Sequence, residues 1–193
     1  MIATRRGDTS IATQLLGVTG VLGGLGLLAA FVIDIPSTWN TARLVLFCAG
    51  AIAIAVATYG RHAAVSKPLA LAATIPLVVA NGAWIAWILL ALGRERPFAG
   101  DFGLVGFWVA LAAWLADAWF GFIALRLGVL WRWAAVALVA GSLLAILGMD
   151  RLGLTSGSDT TAFGTVALAG IALNEIAWVL LGLELTVPRL RGR

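Results

Sequence analysis

Apolar residues gather along this chain into six long runs, at about 13–33, 42–59, 69–92, 104–125, 131–149 and 163–185, with short polar stretches between them. A helix needs about 20 apolar residues to cross the hydrocarbon layer of a bilayer. Each run is of that order, so the pattern predicts an all-α, polytopic membrane protein with six transmembrane helices. The runs leave few residues for anything else, and positions 1–193 are expected to form a single transmembrane domain. The linkers DIPSTWN, RHAAVSKP, GRERPFAGDFG and RLGLTSGSDTT carry the expected helix breakers. Arg5 and Arg6 precede the first run as they would in a secretion signal. That run is too long for a signal-peptide core and lacks an A-x-A exit, so it is expected to be a retained first helix.

Composition strengthens this picture, since 62% of the residues are hydrophobic and 11% charged, far outside the range of a water-soluble domain. The basic residues then set orientation. With the N-terminus in the cytoplasm, Arg5, Arg6, Arg61, Lys67, Arg126, Arg132, Arg189, Arg191 and Arg193 lie inside, and Arg43, Arg94, Arg96 and Arg151 lie outside. Positive charge resists translocation, so both termini are expected in the cytoplasm and the protein in the cell (inner) membrane. The net charge of +4 follows from that topology and from contact with anionic lipid. No basic patch for a nucleic acid is present, and membrane lipid is the expected surrounding partner.

A repeat appears at an offset of 91 residues. IAWILLAL at 85–92 matches IAWVLLGL at 176–183, and Ala49-Gly50 falls on Ala140-Gly141. The same offset lays the first run on the fourth, giving two three-helix halves. An odd number of helices per half makes the halves inverted, as in many transporters.

Polar residues inside the spans carry the candidate chemistry. Asp117, in LAAWLADAWFGFIAL, falls just past the middle of the fourth run, and Glu175 lies near the middle of the sixth beside Asn174. Asn81 holds the same depth in the third. A carboxylate at the bilayer centre costs on the order of 2.5–3.5 kcal/mol, so such residues face a bundle interior or a wet cavity. At about 100° per residue, Trp114 shares the face of Asp117, while Trp108 and Trp119 point away to the lipid side. Trp178 lies one turn from Asn174 and Glu175, and Trp84 one turn from Asn81. Trp39, Trp131 and Trp133 sit at membrane ends, where tryptophan forms a belt. Glu184 lies at the cytoplasmic end near Arg189 and is expected to form an interfacial ion pair.

Withdrawal from water favours a neutral, proton-donating carboxyl, and indole faces attract cations. A layer with both features suits a carbocation formed by protonating an isoprenoid alkene or epoxide. It equally suits a lipophilic cation held by an ionised acid. The same polar groups could simply lock helices together through interhelical hydrogen bonds. Other chemistries lack their residues. The one histidine, His62, is placed in a cytoplasmic loop, and the one cysteine, Cys48, lies inside the second run. Haem ligation by paired histidines, a His-based zinc site and a Ser-His couple are unsupported, and no phosphate loop or serine-protease spacing is present. No metal and no cofactor is therefore expected. Gly20 and Gly24 form G-x-x-x-G, which lets helices approach closely.

The N-x-x-W step at Asn81 and Trp84, with acids inside other spans of a small all-helical chain, resembles the integral-membrane meroterpenoid cyclases. In that family a glutamate commonly follows the tryptophan, and here the residue is Ile85. The general outline also resembles six-helix bacterial membrane proteins of unassigned activity. The likeness implies acid-initiated cyclisation of a hydrophobic isoprenoid-type substrate. Asp117 and Glu175 are placed as acid and base by depth and face, with Asn81, Trp84, Trp114, Asn174 and Trp178 as substrate-binding residues. The alternatives are a small inverted-repeat carrier for a lipophilic cation or proton-coupled solute, and a stress or scaffold protein without a site. Oligomeric state has no signal in the sequence.

Overall fold

The computed structural model describes residues 11–32, 37–92, 100–149 and 161–187. They form six helices: α1 (Ile11–Val32), α2 (Ser37–Val65), α3 (Lys67–Ala91), α4 (Gly100–Leu127), α5 (Arg132–Met149) and α6 (Thr161–Thr186). No strand occurs among the described residues. Each helix packs on its chain neighbours and α6 returns to α1, so the bundle closes into a ring, with α2 also touching α4 and α6. Helices related by the 91-residue offset stand opposite one another, as they must in any six-membered ring laid down in chain order. The outward face is apolar, with Leu15, Val79, Leu90 and Leu147 all exposed. Such a surface belongs in lipid.

Among the described residues five helices, α1 to α4 and α6, are long and apolar enough to cross a membrane, and the apolar stretch of α5, Arg132–Gly148, is shorter. Its register supplies what its length does not. Along the α5–α6 seam Trp131 lies opposite Glu184, and a side chain placed on Gly141 would strike Asn174, one on Gly170 would strike Ala145, and one on Gly148 would strike Ala167. The two helices thus run antiparallel with backbones in contact, and α5 covers nearly the whole apolar length of α6.

The second helix departs from expectation. The stretch RHAAVSKP was expected to be a loop, yet α2 continues through Val65 and only Ser66 separates it from α3. Arg, His and Ala are all tolerated in helices, so nothing stops α2 until Pro68, which sits in the first turn of α3 where its missing N–H is harmless. Ser66 takes an extended conformation, φ −155° and ψ 104°, and its N–H bonds to the His62 carbonyl at 2.9 Å. His62 is therefore not a loop residue. It lies one turn inside α2 and is 0% exposed.

Two other features fix helix positions. Gly128, at φ +63°, ends α4 in the left-handed conformation that glycine adopts without strain. Pro76 lies inside α3 and cannot bond to the carbonyl of Ala72 one turn back. Trp119 of α4 donates its indole N–H to that carbonyl at 2.9 Å. Trp119 is largely exposed, as its face predicted, and still serves α3.

Gly20 and Gly24 do not face one partner. Gly17 and Gly24 approach α6 at Gly182 and Glu175, while Gly20 and Gly23 approach α2 at Gly50 and Leu46. Helix α1 is a wedge between the two.

Candidate functional site: a buried carboxyl layer

The ring turns one face of each of four helices inward. Helix α4 contributes Trp114, Asp117 and Phe120, spaced three residues apart and all buried. From α3 comes Asn81, from α6 Asn174, Glu175 and Trp178, and from α2 Phe47, Cys48 and His62.

Asp117 is 2% exposed and its carboxylate accepts two hydrogen bonds from different helices. Asn81 Nδ2 donates to Oδ1 at 3.2 Å and Trp178 Nε1 to Oδ2 at 3.3 Å. Asn174 and Cys48 lie within electrostatic reach of the same carboxylate. Asn81 is itself steadied by donation to the Leu77 carbonyl at 3.2 Å. Three helices thus meet through one side chain.

Glu175 stands in the opposite condition. It is 0% exposed, and among the described residues neither carboxyl oxygen has a hydrogen-bond partner. A buried polar group without a partner costs about 1–3 kcal/mol. The neighbouring Asn174 turns to α5, where its Nδ2 donates to Ser142 Oγ at 2.7 Å and Ser142 donates to the Leu138 carbonyl at 2.8 Å. Asn81 Oδ1 and Asn174 Oδ1 are also buried without partners. Among the described residues these acceptors have no donors, and no hydrogen bond joins Glu175 to Asp117.

Aromatic rings flank the layer on both sides along α4. Trp114 meets Trp84 edge-on at 5.9 Å and Phe47 at 6.4 Å. Phe120 lies 5.7 Å from Trp178 and 5.5 Å from His62, which it meets edge-on. The helical-face argument places Trp84, Trp114 and Trp178 inward, and all three are on the interior side of their helices. Gly121 packs against Ala135 and Leu138 of α5 and leaves no opening.

Glu184 forms the expected ion pair with a different partner. Its Oε1 accepts from Arg61 at 3.3 Å and its Oε2 accepts the backbone N–H of Trp131 at 2.8 Å, tying α2, α5 and α6 together at one end of the ring. Arg189 and the side chain of Trp39 lie outside the described residues. Among the described residues no three His, Cys, Asp or Glu side chains converge.

Sequence reasoning missed Ser142, Phe47, Phe120 and His62. Phe120 was accessible to the same face argument as Trp114, being three residues past Asp117. Ser142 gives little signal in sequence, because a hydroxyl inside a span can satisfy itself on the carbonyl one turn back, as Ser142 does on Leu138. Comparison with protein-family models, curated proteins and solved structures finds no match to this chain.

Proposed function

We propose that the protein is an integral-membrane enzyme that starts cyclisation or isomerisation of a hydrophobic, isoprenoid-type substrate by proton transfer. One observation carries the reading: two fully buried carboxyls have opposite surroundings. Asp117 receives two N–H donors, which stabilise negative charge, and Glu175 receives none. Glu175 therefore suits the acid. Its O–H proton passes to an alkene carbon or epoxide oxygen, leaving a carbocation and an ionised Glu175. The cation lies among Trp84, Trp114 and Phe47, and aromatic faces stabilise a desolvated cation by about 2 kcal/mol. Asp117 suits the base, taking a proton from carbon to quench the cation as a new double bond forms. The product is an isomer of the substrate. On the orientation given by the basic residues, the protein lies in the inner membrane with both termini in the cytoplasm, and Arg61 and Glu184 mark the cytoplasmic end.

The test uses protein in lipid nanodiscs, a panel of linear polyprenyl alkenes and D2O buffer. The account expects an isomeric product carrying one deuterium on carbon. Asp117→Asn and Glu175→Gln should each lower turnover by about 10²–10⁴-fold, the usual contribution of general acid–base groups. Full activity in both variants would reduce the carboxyls to helix glue. Proton-driven uptake into vesicles without conversion, lost in both variants, would replace the enzyme by a carrier.

A further inference from the structure

His62 is the buried titratable side chain that the chemistry above leaves unused. Among the described residues neither of its ring nitrogens has a hydrogen-bond partner, although the residue is 0% exposed. Thr58, one turn earlier on the same face, bonds its hydroxyl to the Ile54 and Ala55 carbonyls and so needs nothing further. A buried polar group that is left unsatisfied calls for an explanation. The position of His62 offers one. It lies one turn beneath the α2–α3 turn at Ser66, and on its inner side it packs edge-on against Phe120. Phe120 in turn packs on Trp178, whose indole N–H holds Asp117. His62 therefore stands between the Arg61–Glu184 end of the ring and the carboxyl layer, with one aromatic ring between it and the Trp178 indole.

The proposed reaction creates a need at this place. Each turnover leaves Glu175 ionised and Asp117 protonated, and both are sealed from water. We propose that His62 is the proton relay through which the carboxyl layer exchanges protons with water at the Arg61–Glu184 end. The inference rests on the acid–base reading of Asp117 and Glu175. Imidazole accepts a proton on one nitrogen and releases one from the other, so a proton crosses the residue and no net charge remains. Phe120 must turn aside for each passage. The other charged groups at this end do not compete for the role: Glu184 is engaged by Arg61 and by the Trp131 N–H, and Lys67, Arg126 and Arg132 are exposed. His62 is a positioning residue for protons and touches no substrate.

The test needs no substrate. Infrared difference spectra of the nanodisc-embedded protein, taken after transfer from H2O to D2O, follow the carbonyl stretch of a protonated buried carboxyl. Its loss in Glu175→Gln assigns the band. In His62→Gln, which keeps a side chain of similar length but cannot relay, exchange at Glu175 should slow by at least about 100-fold, the low side of general acid–base contributions. An unchanged exchange rate would overturn the relay. If His62→Gln does not fold, His62→Ala with added imidazole replaces it: restored exchange supports the relay, and no restoration with folded protein overturns it. Absence of any Glu175 carbonyl band in the wild type would instead sink the acid–base reading, and the relay with it.

Discussion

The two sides of the ring are built on different packing principles. Around α1, α5 and α6, backbones touch: Gly17 meets Gly182, Gly141 meets Asn174, and Gly170 meets Ala145. Around α3 and α4, tryptophans do the joining, with Trp87 against Gly106 and Trp119 on the carbonyl that Pro76 leaves unbonded. Lipid tails are as apolar as leucine, so helices in a membrane gain little from burying apolar area against each other. Close van der Waals approach and polar bonds must hold them instead. The α1–α5–α6 side relies on backbone approach, to which the Asn174–Ser142 bond is added, and the α3–α4 side on tryptophan packing together with the Trp119 and Asn81 hydrogen bonds. The two acids follow the same division. Asp117, on α4, is bound by donors from two other helices, and Glu175, on the glycine-packed α6, has no donor among the described residues.

This contrast predicts unequal tolerance. Gly170→Val places a branched side chain against the Ala145 backbone, which cannot give way. The cost should be about 3 kcal/mol, the upper end for overpacking, read as lost monodisperse protein or a large fall in Tm. Trp119→Phe keeps an aromatic ring but leaves the Ala72 carbonyl without its donor. A loss of about 0.6–1.7 kcal/mol is expected, the range for single hydrogen bonds inside membranes. Trp133→Leu removes a ring that is 71% exposed on the lipid side. Stability should move by no more than about 0.5 kcal/mol. If Trp119→Phe proved as damaging as Gly170→Val, the two sides would not differ as described.

Much of the architecture could be read from the sequence because a membrane imposes few solutions. The length of each apolar run gave the helices, and the cost of a buried charge pointed inward for Asp117 and Glu175. Helical periodicity then separated Trp114 from Trp108 and Trp119 correctly. Charge and polarity around His62 suggest a loop, whereas α2 ends only where Pro68 forces a new helix to start. Glu184 forms an ion pair as its position near the helix end implies, but its partner among the described residues, Arg61, is 123 positions away. The unequal surroundings of the two acids depend on which helices face each other across the ring. No local pattern encodes that.

The most direct test compares Glu175→Met with Asp117→Leu by thermal unfolding in detergent alongside turnover. Methionine fills the space of glutamate without its unmatched oxygens, and replacing an unsatisfied polar group by an apolar one of similar shape removes a penalty of about 1–3 kcal/mol. Asp117→Leu strands the Asn81 and Trp178 donors and should cost a similar amount. The account therefore predicts that Glu175→Met raises Tm and abolishes turnover, while Asp117→Leu lowers Tm and abolishes turnover. A Glu175→Met protein that loses as much stability as Asp117→Leu would contradict it, because Glu175 would then be holding the fold together.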